Sequence, residues 1–219
     1  LQQSDRSCVA PKVIVKNSSK SRSVNVDSID YSQWKAQSEL SKLVIELINN
    51  DDEAFEIADT VLSTGGNLVS ASKKMIAQNL AELINFQENN ESKFLYEAAV
   101  AASIPILKLL NDYHEVKTVS SIKGILNGSS NFILSEMSIN QTSYEEALDI
   151  AIEKGFAELD PSSDVGGYDA KYKTVILALH GLGLLIEPAD VINLGIENIK
   201  LSDIGFAKNQ TSVKIFHNG

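Results

Sequence analysis

Cysteine is almost absent from this chain, and other familiar features are absent with it. The single Cys8 excludes an intrachain disulfide and a metal site built of cysteines alone, and it indicates a reducing compartment. No uninterrupted apolar run approaches the roughly 20 residues that a membrane-spanning helix needs. Residues 1–6 lack the charged-then-apolar order of a signal peptide. Together these absences predict a cytoplasmic protein.

Basic residues are also fewer than acidic ones. The chain has 19 Lys and Arg residues against 29 Asp and Glu residues, which gives a formal net charge of -10. Phosphate backbones and anionic lipids recruit basic patches, so the charge argues against nucleic-acid and membrane partners. The 219 residues, 43% of them hydrophobic, are enough to bury a substantial core. We therefore expect a globular protein with a small-molecule ligand.

The first part of the chain alternates short β-branched runs with helical patterns. The strand-like runs are residues 12–16, 43–48, 67–71 and 93–98. The helical patterns between them are residues 51–66 and 73–86. Strands and helices that alternate in this way are typical of a doubly wound parallel sheet, so an α/β fold is predicted here.

The composition changes at about residue 95, where a second domain is predicted to begin. A strand is expected over residues 116–125. Ser143 and Glu146 have the spacing of a capping box, which predicts the start of a helix. Another apolar-periodic helix is predicted from residue 168 or 169 to about residue 185.

The densest polar segment is GFAELDPSSDVGGYDAKYK, residues 155–173, which connects two predicted helices. Asp169 and Lys173 are four residues apart and share one face if the helix begins by Asp169. One interpretation is a solvated acidic loop followed by an ordinary helical ion pair. A calcium loop is excluded because the acids do not alternate as a twelve-residue EF-hand requires. The other interpretation is a catalytic or binding site.

This segment resembles the homoserine dehydrogenase signature, with a Gly, an aromatic, then Glu, Asp-Pro, Asp, Gly, Asp and Lys in that order. Three further segments resemble the same family in the same chain order. They are NLVSASKKM at 67–75, LYEAAVAASIP at 95–105 and GILNGSSNFIL at 124–134. The resemblance implies an NAD(P)-dependent oxidoreductase that interconverts L-homoserine and L-aspartate 4-semialdehyde in threonine, methionine and isoleucine biosynthesis.

The family also implies a domain plan. Residues 1–94 would form an incomplete Rossmann-type dinucleotide-binding domain. Residues 95–219 would form an α+β domain for substrate binding, catalysis and dimerisation, without its C-terminal end. A homodimer or higher homo-oligomer is expected.

By the same resemblance, Lys173 is the acid/base at the substrate hydroxyl, and Lys73, rather than Lys74, is a second cation near the reacting oxygen. A lysine serves as an acid/base near neutral pH when its surroundings lower its pKa. The substrate ammonium needs carboxylate or carbonyl partners. The implied substrate-binding residues are Glu158, Asp164, Asp169, Gly128 and Ser129. Phe156 departs from the family pattern, which often has Tyr there, so the hydrogen bond of that phenol is lost.

A nicotinamide cofactor is implied, yet the chain has no G-x-G-x-x-G turn to approach a pyrophosphate. We expect that turn to precede residue 1. The implied cofactor contacts are Asn49, Ser72, Lys73 and Gly155, with Lys16 and Arg22 beside Lys20 after the first strand. These basic residues favour the 2′-phosphate of NADP over NAD; the alternative is a basic surface loop.

The segment at 95–105 resembles the family's monovalent-cation site. Glu97 would supply a carboxylate, and Val100, Ala102 and Ile104 would supply backbone carbonyls, an oxygen set that suits sodium. The alternative is an Ala-rich packing segment with one satisfied Glu.

Two alternative functions are also consistent with the sequence. The first is a dehydrogenase of another amino acid or semialdehyde. The second is a protein that has lost cofactor binding and acts as a binding or assembly module. The cluster of Lys73, Lys173, Glu158 and Asp169 favours catalysis, because a binding module does not need both lysines.

Overall fold

The computed structural model describes residues 14–16, 43–114 and 119–209. The chain divides into two compact units, Leu1–Tyr96 and Glu97–Gly219. Within the described ranges, no helix combines the length and apolar character needed to cross a membrane.

The described part of the first unit contains a parallel sheet of four strands in the order β1-β2-β3-β4. The strands are β1 Ile14–Lys16, β2 Leu43–Glu46, β3 Asn67–Ser70 and β4 Phe94–Leu95. Val44 pairs with Leu68, and Leu68 with Phe94, and all three side chains are buried. The predicted parallel α/β arrangement is confirmed as a partial Rossmann-like sheet, in which β2, β3 and β4 are shorter than the sequence suggested.

The first crossover helix, α1 Asp51–Ser63, begins and ends as its sequence predicts. The Asn50 side chain accepts hydrogen bonds from the backbone of Asp52 and Glu53, at 3.1 and 3.2 Å. At the other end Gly65 has φ +76°, and the Gly66 N–H donates to the Val61 carbonyl at 2.8 Å. This glycine termination turns the chain directly into β3.

The helix predicted over residues 73–86 is two helices, α2 Lys73–Gln78 and α3 Leu80–Asn89. They are separated by Asn79, whose side-chain amide donates to the Met75 carbonyl at 2.8 Å. Asparagine competes with the helix for backbone partners in this way, which explains the break. The prediction of one continuous helix was therefore wrong. The result is a short α2 that starts just after β3 and carries Lys73 at its first position.

The described part of the second unit is helical. Its helices are α4 Ala98–Ala101, α5 Ile106–His114, α6 Gly128–Asn140, α7 Tyr144–Glu153, α8 Ser162–Val165, α9 Tyr168–Leu182 and α10 Leu201–Asn209, with a 3-10 turn at Pro188–Asp190.

The strand predicted over residues 116–125 is wrong for residues 119–125, which are irregular and mostly exposed. A strand needs a neighbour for its backbone hydrogen bonds, and residues 97–114 and 119–209 contain no other strand to provide one. The described residues therefore show helices where a mixed α+β domain was expected.

The core of the second unit lies where α6 packs on α7. Ser143 accepts a hydrogen bond from the Glu146 N–H at 3.2 Å, as its capping position predicts. The buried residues of this core are Ile133, Met137, Ala147, Ala151, Ala157, Val165, Ile196 and Ile204. Burial of each large aliphatic side chain contributes about 1.5–3 kcal/mol. This core fixes the start of α6 beside the polar loop that follows α7.

Candidate functional site

The centre of the site is an ion pair on α9. Lys173 Nζ lies 2.8 Å from Asp169 Oδ2, with side chains 15% and 5% exposed, which confirms the pairing predicted from their spacing. The same Nζ donates to the Leu126 carbonyl at 2.6 Å. Because water is largely excluded here, this pair is held more firmly than a surface ion pair.

Asn127, which the sequence reasoning missed, links this pair to a second carboxylate. Its Nδ2 donates to Asp164 Oδ1 at 2.6 Å and to Asp169 Oδ2 at 3.0 Å. Its Oδ1 accepts from the Ser130 N–H at 2.8 Å and so caps α6. A capping signal was available, since an Asn precedes Gly-Ser-Ser and an apolar run. Its bonds to two distant acids could not be derived from that signal.

Asp164 is fixed from several sides by the start of α6. The hydroxyl of Ser129 lies 2.8 Å from Asp164 Oδ2 and 2.7 Å from the Phe156 carbonyl. The Ser130 hydroxyl donates to the Asp164 carbonyl at 2.9 Å. Phe156 therefore contributes its backbone here, while its ring stacks on Phe132 at a centroid distance of 4.3 Å. The structure thus brings Ser129, Asp164, Asp169 and Lys173 into one network.

Three other predicted residues of this unit lie around the network. Gly128 is the exposed first residue of α6, with open space where a Cβ would stand. Gly155 follows α7 with φ +73°, a conformation that favours glycine. Glu158 is exposed in the loop and is not bonded to the Lys173 network. These residues border the network and take no part in its hydrogen bonds.

The first unit contains a separate buried carboxylate, Glu46, at the end of β2. It is 1% exposed and accepts hydrogen bonds from the Ser70 hydroxyl at 2.5 Å, the Ser72 hydroxyl at 2.8 Å and the Ile48 N–H at 2.5 Å. The sequence reasoning missed this residue too, although a lone acid inside the apolar run LVIELI is a usable signal. The cluster ties the ends of β2 and β3 together.

Three predicted cofactor residues of this unit follow the same strand ends: Asn49, Ser72 and Lys73. Asn49 is exposed just after β2. Ser72 precedes α2, and partly buried Lys73 is its first residue. Lys74 is exposed and pairs with Asp51 at 2.6 Å. Lys16 ends β1, whereas Lys20 and Arg22 lie outside the described residues.

The predicted cation segment begins with a carboxylate that already has two partners. Glu97 accepts from the Leu107 N–H at 2.7 Å and the Lys108 N–H at 3.1 Å, and so caps α5. The Ile104 carbonyl accepts from the Ile106 N–H at 2.8 Å. Val100 is buried, and Ala102 has φ +51°. The carboxylate thus has a structural role independent of any ion.

A carboxylate and a histidine of this unit have shifted pKa values. Hydrogen bonds from Ser162 lower the pKa of the Asp160 carboxyl in the polar loop. Burial lowers the pKa of His180 on α9, partly opposed by the charge of Glu97. His180 Nδ1 lies 2.8 Å from Asn111 Oδ1. Neither group belongs to the Lys173 network.

The fold and site define an α/β protein with a partial Rossmann-like sheet and a helical unit that buries a lysine–carboxylate network. Residues 105–216 match the sequence model of the family described as Homoserine dehydrogenase. The chain belongs to the homoserine dehydrogenase family.

The similarity extends beyond the family segment. The homoserine dehydrogenase of Lactococcus lactis is 36% identical over 173 residues, which are 79% of this chain and 40% of that protein. The crystal structure of a homoserine dehydrogenase from Thiobacillus denitrificans is 31% identical, with a TM-score of 0.76 over 80% of this chain and 40% of that one. A hyperthermophilic archaeal homoserine dehydrogenase mutant in complex with NADPH is 29% identical, with a TM-score of 0.65 over 74% and 49% of the two chains. The chain spans about two fifths of the length of the curated relatives it matches.

Proposed function

We propose that this protein has homoserine dehydrogenase activity, the NAD(P)-dependent interconversion of L-homoserine and L-aspartate 4-semialdehyde in threonine, methionine and isoleucine biosynthesis. The observation that carries the proposal is the buried Lys173–Asp169 pair, which lies in the segment that matches the family. A lysine held beside a carboxylate and shielded from water is suited to move a proton at a substrate oxygen.

The geometry around Lys173 supports an acid/base role. An ammonium has three N–H donors, and contacts with Asp169 and the Leu126 carbonyl use two of them. The third can face a substrate oxygen. During reduction of the aldehyde, Lys173 donates its proton to the carbonyl oxygen, and during oxidation of the alcohol it accepts that proton. When bound, the nicotinamide supplies or removes the hydride at the substrate carbon.

We further propose that the carboxylates beside Lys173 bind the amino-acid part of the substrate. Glu158 is exposed and outside the network, so its charge is available for the substrate ammonium. Asp164 and Asp169 would form the adjoining wall, with Ser129 and the backbone of Gly128 completing it. Glu158→Gln is expected to raise the KM for homoserine about tenfold, the loss of a charged hydrogen bond of roughly 1.4 kcal/mol.

The ends of β2 and β3 fit part of a dinucleotide. Ligands of parallel sheets bind at the carboxyl ends of the strands, where Asn49 and Ser72–Lys73 lie. The first turn of α1 holds Asp51, Asp52 and Glu53, which repel phosphate, so these strand ends suit the sugar and nicotinamide parts.

We assign Asn49, Ser72, Lys73, Gly155, Lys16 and Arg22 to the cofactor, and give Lys73 a second role near the reacting oxygen. The basic residues favour NADP over NAD, and the NADPH complex of the archaeal relative supports this choice. A lower KM for NADPH than for NADH would agree with the assignment, and the reverse would contradict it.

We assign a monovalent-cation site to residues 97–104, and we propose that the ion is sodium. Glu97 already caps α5, so the carbonyls of Val100, Ala102 and Ile104 would provide most of the ligation. The test is to measure the midpoint temperature of thermal unfolding in NaCl and in choline chloride at equal ionic strength. The midpoint should rise with the concentration of sodium and not with that of choline. Equal midpoints in the two salts would count against the site.

The domain roles complete the proposal. We assign dinucleotide binding to residues 1–94 and substrate binding, catalysis and dimerisation to residues 95–219, in a cytoplasmic homodimer or higher homo-oligomer. Large apolar side chains exposed on the second unit support an interface, among them Ile125 at 72% and Leu109 at 60%. Sedimentation equilibrium checks this point, since a monomer at micromolar concentration would contradict it.

The decisive test is NADPH oxidation with aspartate semialdehyde, using protein extended at both ends to the length of its relatives. Lys173→Ala should lower kcat by about 10²- to 10⁴-fold. Lys171→Ala is the matched control, because Lys171 lies on the same helix and contacts the neutral Asn193 at 3.3 Å. It should keep near-normal activity.

The results also separate the alternatives. Turnover of a different semialdehyde but not this one would indicate a related dehydrogenase. Absence of turnover with any of these substrates would favour a binding or assembly role.

A further inference from the structure

Asn127 occupies a position that the proposed chemistry does not by itself explain. It is 6% exposed, and all of its side-chain hydrogen-bonding groups are directed at named partners. Two of those partners, Asp164 and Asp169, are carboxylates on either side of one neutral amide. A buried amide shared by two acids is an unusual arrangement, because like charges in a poorly hydrated site repel each other.

The orientation of this amide is determined by its partners. A backbone N–H can only donate, so the Asn127 oxygen must face the Ser130 N–H at 2.8 Å. The NH₂ group must then face the two carboxylates, which as anions can only accept. The reversed amide would oppose donor to donor and acceptor to acceptor. The helix cap therefore sets the direction in which the amide donates.

The fixed direction of the Asn127 amide affects which acid pairs with Lys173. Asp169 Oδ2 accepts from both Asn127 and Lys173, at 3.0 and 2.8 Å. Asp164 Oδ1 is held by the second N–H of the same amide, at 2.6 Å. Leu126, whose carbonyl accepts from Lys173, is the residue just before Asn127. The start of α6 thus positions the lysine and both acids through two consecutive residues.

We propose that Asn127 is a positioning residue for the Lys173–Asp169 pair, holding Asp169 against the lysine and keeping Asp164 apart from it. The inference rests on the acid/base role of Lys173 proposed above. It adds a residue that acts through the pair and does not itself touch the substrate.

Asn127→Ser tests the amide while retaining an oxygen that can cap α6. In the extended protein, this variant should lower kcat for homoserine oxidation roughly ten- to hundredfold, since small misplacements of a catalytic group have effects of this size. The KM for NADPH, measured in the aldehyde direction, should stay within twofold. Asn140→Ser, at the opposite exposed end of the same helix, is the matched control and should leave kcat unchanged.

Asn127→Asp gives a readout that a purely structural role would not move. Asp is as good a helix cap as Asn, but it replaces two N–H donors by a third carboxylate in the network. Because added negative charge favours the charged form of the lysine, the pH midpoint for homoserine oxidation should rise by roughly one unit. An unchanged midpoint, or a kcat of Asn127→Ser within twofold of wild type, would overturn the proposal.

A crystal structure of Asn127→Ser decides the geometry without any activity measurement. Displacement of the Asp169 carboxylate from Lys173 supports the proposal, and retention of the 2.8 Å contact refutes it. If the wild-type protein fails to turn over homoserine, the proposed function fails, yet this structural result still shows whether Asn127 holds the pair.

Discussion

Each unit of the molecule contains a buried carboxylate, and the two are stabilised in different ways. Glu46 in the first unit, 1% exposed, is satisfied by two serine hydroxyls and one backbone N–H. Asp169 in the second unit, 4% exposed, is bonded to the ammonium of Lys173 and the amide of Asn127. Both positions avoid the cost of an unpaired buried charge. Of the two, only Asp169 is paired with an ionisable side chain, the lysine proposed above as the acid/base.

The difference separates a structural role for Glu46 from the chemical role proposed for the Asp169–Lys173 pair. Neutral donors around Glu46 join the ends of β2 and β3, and so place Ser72 and Lys73 at the start of α2. The charged donor beside Asp169 makes that pair sensitive to any change in either charge. Substitutions that remove only the charge should therefore have unequal effects at the two sites.

The largest effect is expected from Asp169→Asn. The variant keeps the shape of the side chain but leaves the Lys173 ammonium buried without its counter-charge. We expect a loss of about 3 kcal/mol in the free energy of unfolding and a fall in kcat/KM of about 10²-fold or more. Urea denaturation and steady-state kinetics measure the two quantities.

Asp149→Asn is the control for Asp169→Asn, because Asp149 is an exposed acid of the same unit, on α7. It should change the free energy of unfolding by less than about 0.5 kcal/mol. If Asp169→Asn is as mild as this control, the buried pair contributes little, and the contrast with Glu46 disappears.

The sequence was sufficient for features set by local pattern. The strands from β1 to β4, the capped α1 and the i,i+4 pairing of Asp169 with Lys173 all follow from periodicity and spacing over fewer than twenty residues. The break at Asn79 and the irregular residues 119–125 do not, because each depends on which partners the backbone finds in the folded chain.

Local sequence patterns also could not predict several hydrogen bonds of the site. The resemblance pointed to Asp164, Asp169, Ser129 and Lys173, and the structure brings these four together. Asn127 joins them through bonds that span 37 and 42 residues, a separation that no local pattern encodes. Glu46 and its two serines lie 24 and 26 residues apart for the same reason.

A smaller effect is expected from Glu46→Gln. The remaining carbonyl oxygen can still accept from the Ile48 N–H and the Ser72 hydroxyl, and the Ser70 hydroxyl can rotate to accept from the new amide. We expect a loss of about 1 kcal/mol in the free energy of unfolding, since neutral hydrogen bonds replace charged ones. The pH profile of turnover should be unchanged.

Glu56→Gln, an exposed acid on α1, provides the matched control for Glu46→Gln and should be neutral. A loss at Glu46 as large as that of Asp169→Asn would show that the carboxylate charge itself stabilises the first unit. The distinction between the two sites would then be wrong.

The smallest effect is expected from His180, which makes the stability of the second unit depend on pH. This pH dependence is distinct from any that arises from the Asp169 pair. Burial lowers the pKa of His180 below its ordinary value of 6.5, with Glu97 acting in the opposite direction. The unfolded chain therefore binds a proton at this histidine more readily than the folded chain does. Its contribution to stability is complete above about pH 6.5 and is lost as the pH falls through the lower, folded-state pKa. His180→Gln should flatten the decline in urea midpoint between about pH 7.5 and pH 5.5. If the variant declines as steeply as wild type, the acid sensitivity of the unit lies in its carboxylates, and the Asp169 pair becomes the first place to look.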